Sequence, residues 1–174
     1  PFKSEMPELY KIELERDGLH RNLGGGFPKG AIVLMIGKYG AGKSAVSQRL
    51  TYGFLKNGHS VTMVSTEFTT KAFLDQMKSL DYNVVNYLLN RELMFIPVYP
   101  LIGKAISRFD FLGRVMNSKQ LYERDIVFFD TFSSLVKNDI DEERVLQALA
   151  FFKKLAGMNK TIVICLEDGV LPPD

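Results

Sequence analysis

The octapeptide GKYGAGKS, residues 37–44, fits the pattern G-x-x-x-x-G-K-[ST], and its flanks constrain the fold more than any other stretch of the chain. Before it runs AIVLMIG (residues 31–37), a continuous apolar segment closing on glycine, which is how a strand buried on both faces reads. After it, Val46, Leu50 and Phe54 recur at i, i+4 and i+8, with Gly58 placed to end a helix. Strand, glycine-rich turn and helix together form an anion trap. Glycines at 37, 40 and 42 let the backbone curl until successive N–H groups converge on one point. The positive end of the helix dipole adds to that field. The expected nucleotide-binding set is therefore Gly37, Lys38, Tyr39, Gly40, Ala41, Gly42, Lys43, Ser44 and Ala45. Lys43 would reach the β- and γ-phosphates, and the Ser44 hydroxyl would ligate Mg2+. A chance glycine-rich turn is the competing account, and the strand before it and helix after it argue against that.

The rest of the chain repeats the alternation. VTMVS (61–65), LMFIPV (93–98), IVFFD (126–130) and TIVICL (161–166) read as further strands, with Pro97 limiting pairing at its end. Between them, Phe73, Met77 and Leu80 mark a helix capped by Thr69 or Thr70. Phe109, Leu112 and Met116 mark a helix over 104–117, and Val145, Leu149 and Phe152 another, opened by Asp141 and closed by Gly157. Such β-α alternation implies an α/β fold: a mostly parallel sheet with helices on both faces. With no linker or repeat, residues 1–174 read as one domain.

Asp130 is the second candidate site residue. It follows four apolar residues at the C-terminal end of a strand, where parallel sheets present ligand-contacting groups. A carboxylate there can hold a Mg2+-bound water beside Ser44. The alternative is a cap or turn residue before TFSSL.

Composition narrows the remaining classes. A net charge of +2 offers no strong basic field for nucleic acid or anionic lipid. The lone cysteine, Cys165, cannot form an internal disulfide and reads as a core thiol in a reducing compartment. No apolar run approaches the roughly 20 residues of a membrane span, and the N-terminal PFKSEMPELYKIELERD has no apolar signal core. His20 and His59 lack companions at metal-ligand spacing, and two scattered histidines make no nucleophilic triad.

LGGGFPKGAIVLMIGKYGAGKS resembles the opening of RecA-type ATPases, and more closely that of KaiC-like proteins. Together with SQRLTYGFLKNGHSVT and STEFTTKAFLDQMKSL it is similar to the FlaH (ArlH) family of archaellum motor accessory proteins. The resemblance runs from about Leu19 to Leu166. It implies a RecA-like P-loop NTPase core that binds ATP with Mg2+ and forms a homo-oligomeric ring. It further implies association with a FlaI-like motor ATPase and the membrane-bound motor platform, at the cytoplasmic face of the membrane and without nucleic acid.

Two departures matter. KaiC-like hydrolases carry adjacent glutamates after the second strand, and the matching positions here are Glu67 and Phe68. Glu67 is left as the candidate catalytic base, unless it is a structural carboxylate that caps the next helix or pairs with Lys71. The sequence also stops at EDGVLPPD, where RecA-type folds usually continue with more strands. Three functions compete: a regulatory nucleotide-binding subunit, an active KaiC-type ATPase, and a RecA/RadA-like recombinase. The first is the expectation.

Overall fold

A strand buried on both faces must sort its side chains by alternation, and β6 (Ile126–Asp130) does so residue by residue. Ile126 and Phe128 enter one apolar cluster, Val127 and Phe129 the other. A computed structural model describes residues 7–37, 43–98, 111–130 and 142–167, with the side chains of 43, 111, 112, 142, 144 and 167 left out. In chain order the described elements are β1 (Leu9–Lys11), α1 (Leu19–Asn22), β2 (Gly26–Pro28), β3 (Ile32–Gly37), α2 (Lys43–Lys56), β4 (Val61–Ser65) and α3 (Thr70–Ser79). They continue with α4 (Val85–Leu89), β5 (Leu93–Pro97), α5 (Phe111–Asn117), a 3-10 turn (Lys119–Tyr122), β6, α6 (Glu142–Ala156) and β7 (Thr161–Glu167).

Five strands form one parallel sheet in the order β3-β7-β6-β4-β5. Helices α2 and α3 cover one face through Leu50, Phe54, Leu55, Phe73 and Met77. Helices α5 and α6 cover the other through Val115, Ala148, Phe152 and Leu155. The α/β expectation of a parallel sheet with helices on both faces is met.

The expectation for β3 is not. It is an edge strand, paired only with β7 among the described residues, and Leu34 and Ile36 are each 54% exposed. A run of apolar residues states that a strand is hydrophobic; it does not state whether a second strand lies beside it. The opposite edge, β5, ends at Pro97 opposite Ser65, consistent with the missing N–H of proline.

The N-terminal stretch also departs from its charged appearance. Tyr10, Ile12 and Leu14 alternate with Lys11 and Glu13, are buried, and pack against α2. A short antiparallel pair, β1 with β2, holds this arm. Arg49 of α2 clasps it: Nη1 donates to the Ile12 carbonyl at 2.9 Å, Nη2 to Asp17 Oδ1 at 2.7 Å, and Nε to Asp17 Oδ2. A side chain at Gly53 would stand 2.6 Å from that Ile12 oxygen, so only glycine lets the arm lie this close. His59, just past the turn that ends α2, meets this arm: its Nε2 accepts the Lys11 N–H at 3.1 Å.

Helix ends follow local rules, and α6 stops at Ala156, directly before the expected Gly157. Gly58 (φ 84°) closes α2, with the His59 N–H reaching Phe54 O and the Gly58 N–H reaching Leu55 O. After α6 the left-handed residue is Asn159 (φ 63°), not Gly157. Thr69 caps α3 by accepting the Ala72 N–H at 3.1 Å. Asp141 and residues 104–110 of the expected α5 lie outside the described residues.

Candidate functional site

Parallel pairing brings every strand's C-terminal residue to one end of the sheet: Gly37 of β3 lies in register with Glu167 of β7, and Ser65 of β4 with Asp130 of β6. The sequence-expected residues sit at this end. Gly37 closes β3, Lys43 and Ser44 open α2, Ala45 lies exposed in its first turn, and Asp130 ends β6. Lys38, Tyr39, Gly40, Ala41 and Gly42 lie outside the described residues, as does the Lys43 side chain.

The structure joins two residues that no sequence pattern links. Ser44 Oγ donates to Glu67 Oε2 at 3.1 Å, across 23 residues. Glu67 stands two residues past the end of β4, and its backbone there is pinned. Ser65 Oγ, 1% exposed, accepts the N–H of Glu67 at 3.2 Å and of Phe68 at 3.1 Å. Thr66 Oγ1 donates to the Asp130 carbonyl at 3.2 Å, fastening the same loop to β6. Ser65 and Thr66 are therefore site-building residues that sequence reading passed over. The signal was a hydroxyl pair at a strand end, immediately before a carboxylate.

The structural alternative for Glu67 takes a different form from the one expected. Thr69, not Glu67, caps α3, and Lys71 pairs with Asp75 at 2.8 Å on the exposed helix surface. Phe68, where a second carboxylate was expected by resemblance, packs half-buried against the α2–α3 side of the core. An aromatic ring there neither accepts a proton nor orders water by hydrogen bonding.

Asp130 is 4% exposed, so its carboxylate is held in a protein-lined setting and not in a surface turn. Among the described residues no group of three or more His, Cys, Asp or Glu side chains could hold a metal ion by itself. Mg2+ keeps several waters and takes one or two protein oxygens plus phosphate oxygens. Ser44 and Asp130 supply hard oxygen donors of that kind. Cys165, 1% exposed on β7, has its Sγ 3.5 Å from Ser47 Oγ in the core beneath α2. No described helix is long and apolar enough to cross a membrane.

Comparison with known proteins bears on the family and the fold. The model of the family described as "ATPase: KaiC" matches residues 15–169. An archaeal flagellar ATP-binding protein FlaH from Methanocaldococcus jannaschii is 43% identical over 165 residues, spanning 95% of this chain and 71% of that protein. FlaH of Methanococcus voltae is 46% identical over 153 residues, covering 88% of this chain and 66% of the relative. The crystal structure of the Methanocaldococcus jannaschii flagellar accessory protein FlaH superposes with a TM-score of 0.87, over 95% of this chain and 73% of that one. A KaiC-like protein from Pyrococcus horikoshii, 19% identical, shares the fold with a TM-score of 0.70, over 93% of this chain and 71% of its own.

Proposed function

We propose a function from this premise: the chain belongs to the KaiC family of ATPases and, within it, to the FlaH group of archaeal flagellar ATP-binding proteins. It acts as one nucleotide-binding domain that holds Mg-ATP on residues 37–45 and reports the bound nucleotide to partners of the archaellum motor. Turnover is slow enough that binding, and not hydrolysis, carries the signal. The observation that supports this most is the pairing of Ser44 with Glu67 beside a core-packed Phe68.

In this reading, the N–H groups of the loop and the start of α2 hold phosphate oxygens, and Lys43 neutralises the terminal ones. Ser44 and Asp130 would hold Mg2+, which when bound draws negative charge away from the phosphates. Among the described residues, Glu67 is the candidate group to orient or deprotonate an attacking water. With Phe68 in place of a second carboxylate, that task has one acceptor where the resemblance led us to expect two. Losing a positioned base costs about 10² to 10⁴ in rate, enough to turn a modest ATPase into a slow one.

Nucleotide then works as a ligand of an assembled state. If ATP and ADP differ in affinity for free and associated forms, each shifts the equilibrium by mass action. We expect ATP to favour a homo-oligomeric ring or a complex with a FlaI-like ATPase at the membrane platform. The KaiC and FlaH matches favour this over a DNA recombinase. Lys43→Ala should weaken Mg-ATP binding at least tenfold, about 1.4 kcal/mol or more, by calorimetry. Unchanged affinity would remove the loop from the account.

A further inference from the structure

The side of α2 that carries Ser44 continues inward as a polar strip. Gln48 follows Ser44 by four residues and Thr51 by seven, the spacing that stacks side chains along one side of a helix. Gln48 is 2% exposed, and Thr51 is fully buried. Neither atom of the Gln48 amide group, nor the Thr51 hydroxyl, has a hydrogen-bond partner among the described residues. Long helical side chains lean toward the helix N-terminus, so Gln48 covers the turn that bears Ser44. That turn is where Ser44 meets Glu67.

A buried primary amide without partners costs more than an average hydrogen bond returns, and a leucine would fill the same volume without that cost. Leu50 and Leu55 do so on the same helix. The phosphate loop as read above does not call on Gln48, yet its buried amide lies on the side of α2 that carries Ser44, whose hydroxyl meets the carboxylate of the exposed Glu67. An amide bonded to a carboxylate is charge-assisted and stronger than a neutral pair.

We propose that Gln48 is a positioning residue for Glu67. Its Nε2 donates to the Glu67 carboxylate when nucleotide and Mg2+ occupy the loop and Ser44 turns to the cation. Ser44 and Gln48 thus serve Glu67 in turn, which ties the position of the candidate base to the occupancy of the loop. Gln48 itself touches neither nucleotide nor reacting atoms. The inference rests on the nucleotide reading of residues 37–45 given above.

Calorimetric ATP titrations of the wild-type chain and of Gln48→Leu, each in Mg2+ and in EDTA, test it. Gln48→Leu should lose about tenfold in affinity with Mg2+ and keep its affinity in EDTA. Equal changes in both buffers, or none in either, would mean a glutamine that only fills the core or holds a buried water, and would overturn the proposal. If Gln48→Leu does not fold, the side-chain amide resonance of Gln48 in the wild-type protein decides. Saturating Mg-ATP should shift it and slow its exchange with solvent. A protein that binds Mg-ATP with this resonance unmoved sinks the role of Gln48 alone. A wild-type protein that binds no Mg-ATP sinks the loop reading, and this inference with it.

Discussion

Strands β3 and β6 both deliver a residue to the candidate site, Gly37 and Asp130, yet they are held in opposite ways. Strand β6 lies between β7 and β4 with all five residues buried. Strand β3 lies at the sheet edge with Leu34 and Ile36 exposed. The carboxylate proposed for the metal therefore stands on a central, fully buried strand, whereas the proposed phosphate side begins on an edge strand. What steadies the phosphate side is α2, fixed in turn by the N-terminal arm through Arg49, Asp17 and the close approach at Gly53. A rigid anchor and a clasped helix are different devices, and they should fail differently.

Substitutions can break that contrast. The largest effect should come from β6: Phe128→Ala removes a fully buried ring between α2 and the sheet and should cost about 3–5 kcal/mol in chemical denaturation. A loss under 1 kcal/mol, on the low side of that ~3–5 range, would mean that β6 is not the anchor. Next comes the clasp. Arg49→Ala strands Asp17 and the Ile12 carbonyl and should cost about 2–3 kcal/mol, less than a wholly buried pair because Asp17 is partly exposed. It should also weaken nucleotide binding, since α2 carries Lys43 and Ser44. Stability lost with affinity intact would detach the clasp from the site.

The edge strand should be far more tolerant. Ile36→Thr should change stability by less than about 1 kcal/mol, because more than half of that side chain is already in water. A larger loss would mean that β3 is covered in solution.

The smallest effect is electrostatic. The Arg49 guanidinium holds the Asp17 carboxyl below its ordinary value, chiefly by hydrogen bonding and against the opposing effect of burial. A group whose pKa falls on folding contributes stability that is complete above its unfolded value of 3.8 and fades as pH drops through the folded one. Acid titration of stability should therefore flatten in that window in Asp17→Asn. An identical acid limb in both proteins would show the pair to be electrostatically silent.

These devices were unequally legible in the sequence. VTMVS and IVFFD give β4 and β6 to the residue, because each is an apolar run with polar neighbours and no proline or glycine inside. The edge position of β3 was not legible, since AIVLMIG reads the same with one neighbour or two. The arm was legible in part: Tyr10, Ile12 and Leu14 alternate with charged residues at strand spacing, but the surrounding charge masked them. Of the site, the loop and Asp130 followed from local patterns. The Ser44–Glu67 contact did not, because side chains 23 residues apart meet only once the sheet has set α2 beside β4.

The central claim is that this chain holds ATP far better than it hydrolyses it. Binding and multiple-turnover hydrolysis of Mg-ATP, measured on one purified sample without partners, test it most directly. The account predicts saturable binding that Lys43→Ala weakens, with turnover well below the roughly 1 s⁻¹ at which ordinary enzymes begin. Turnover of several ATP per second, on the order of a working enzyme, would contradict it and make the chain an active KaiC-type ATPase.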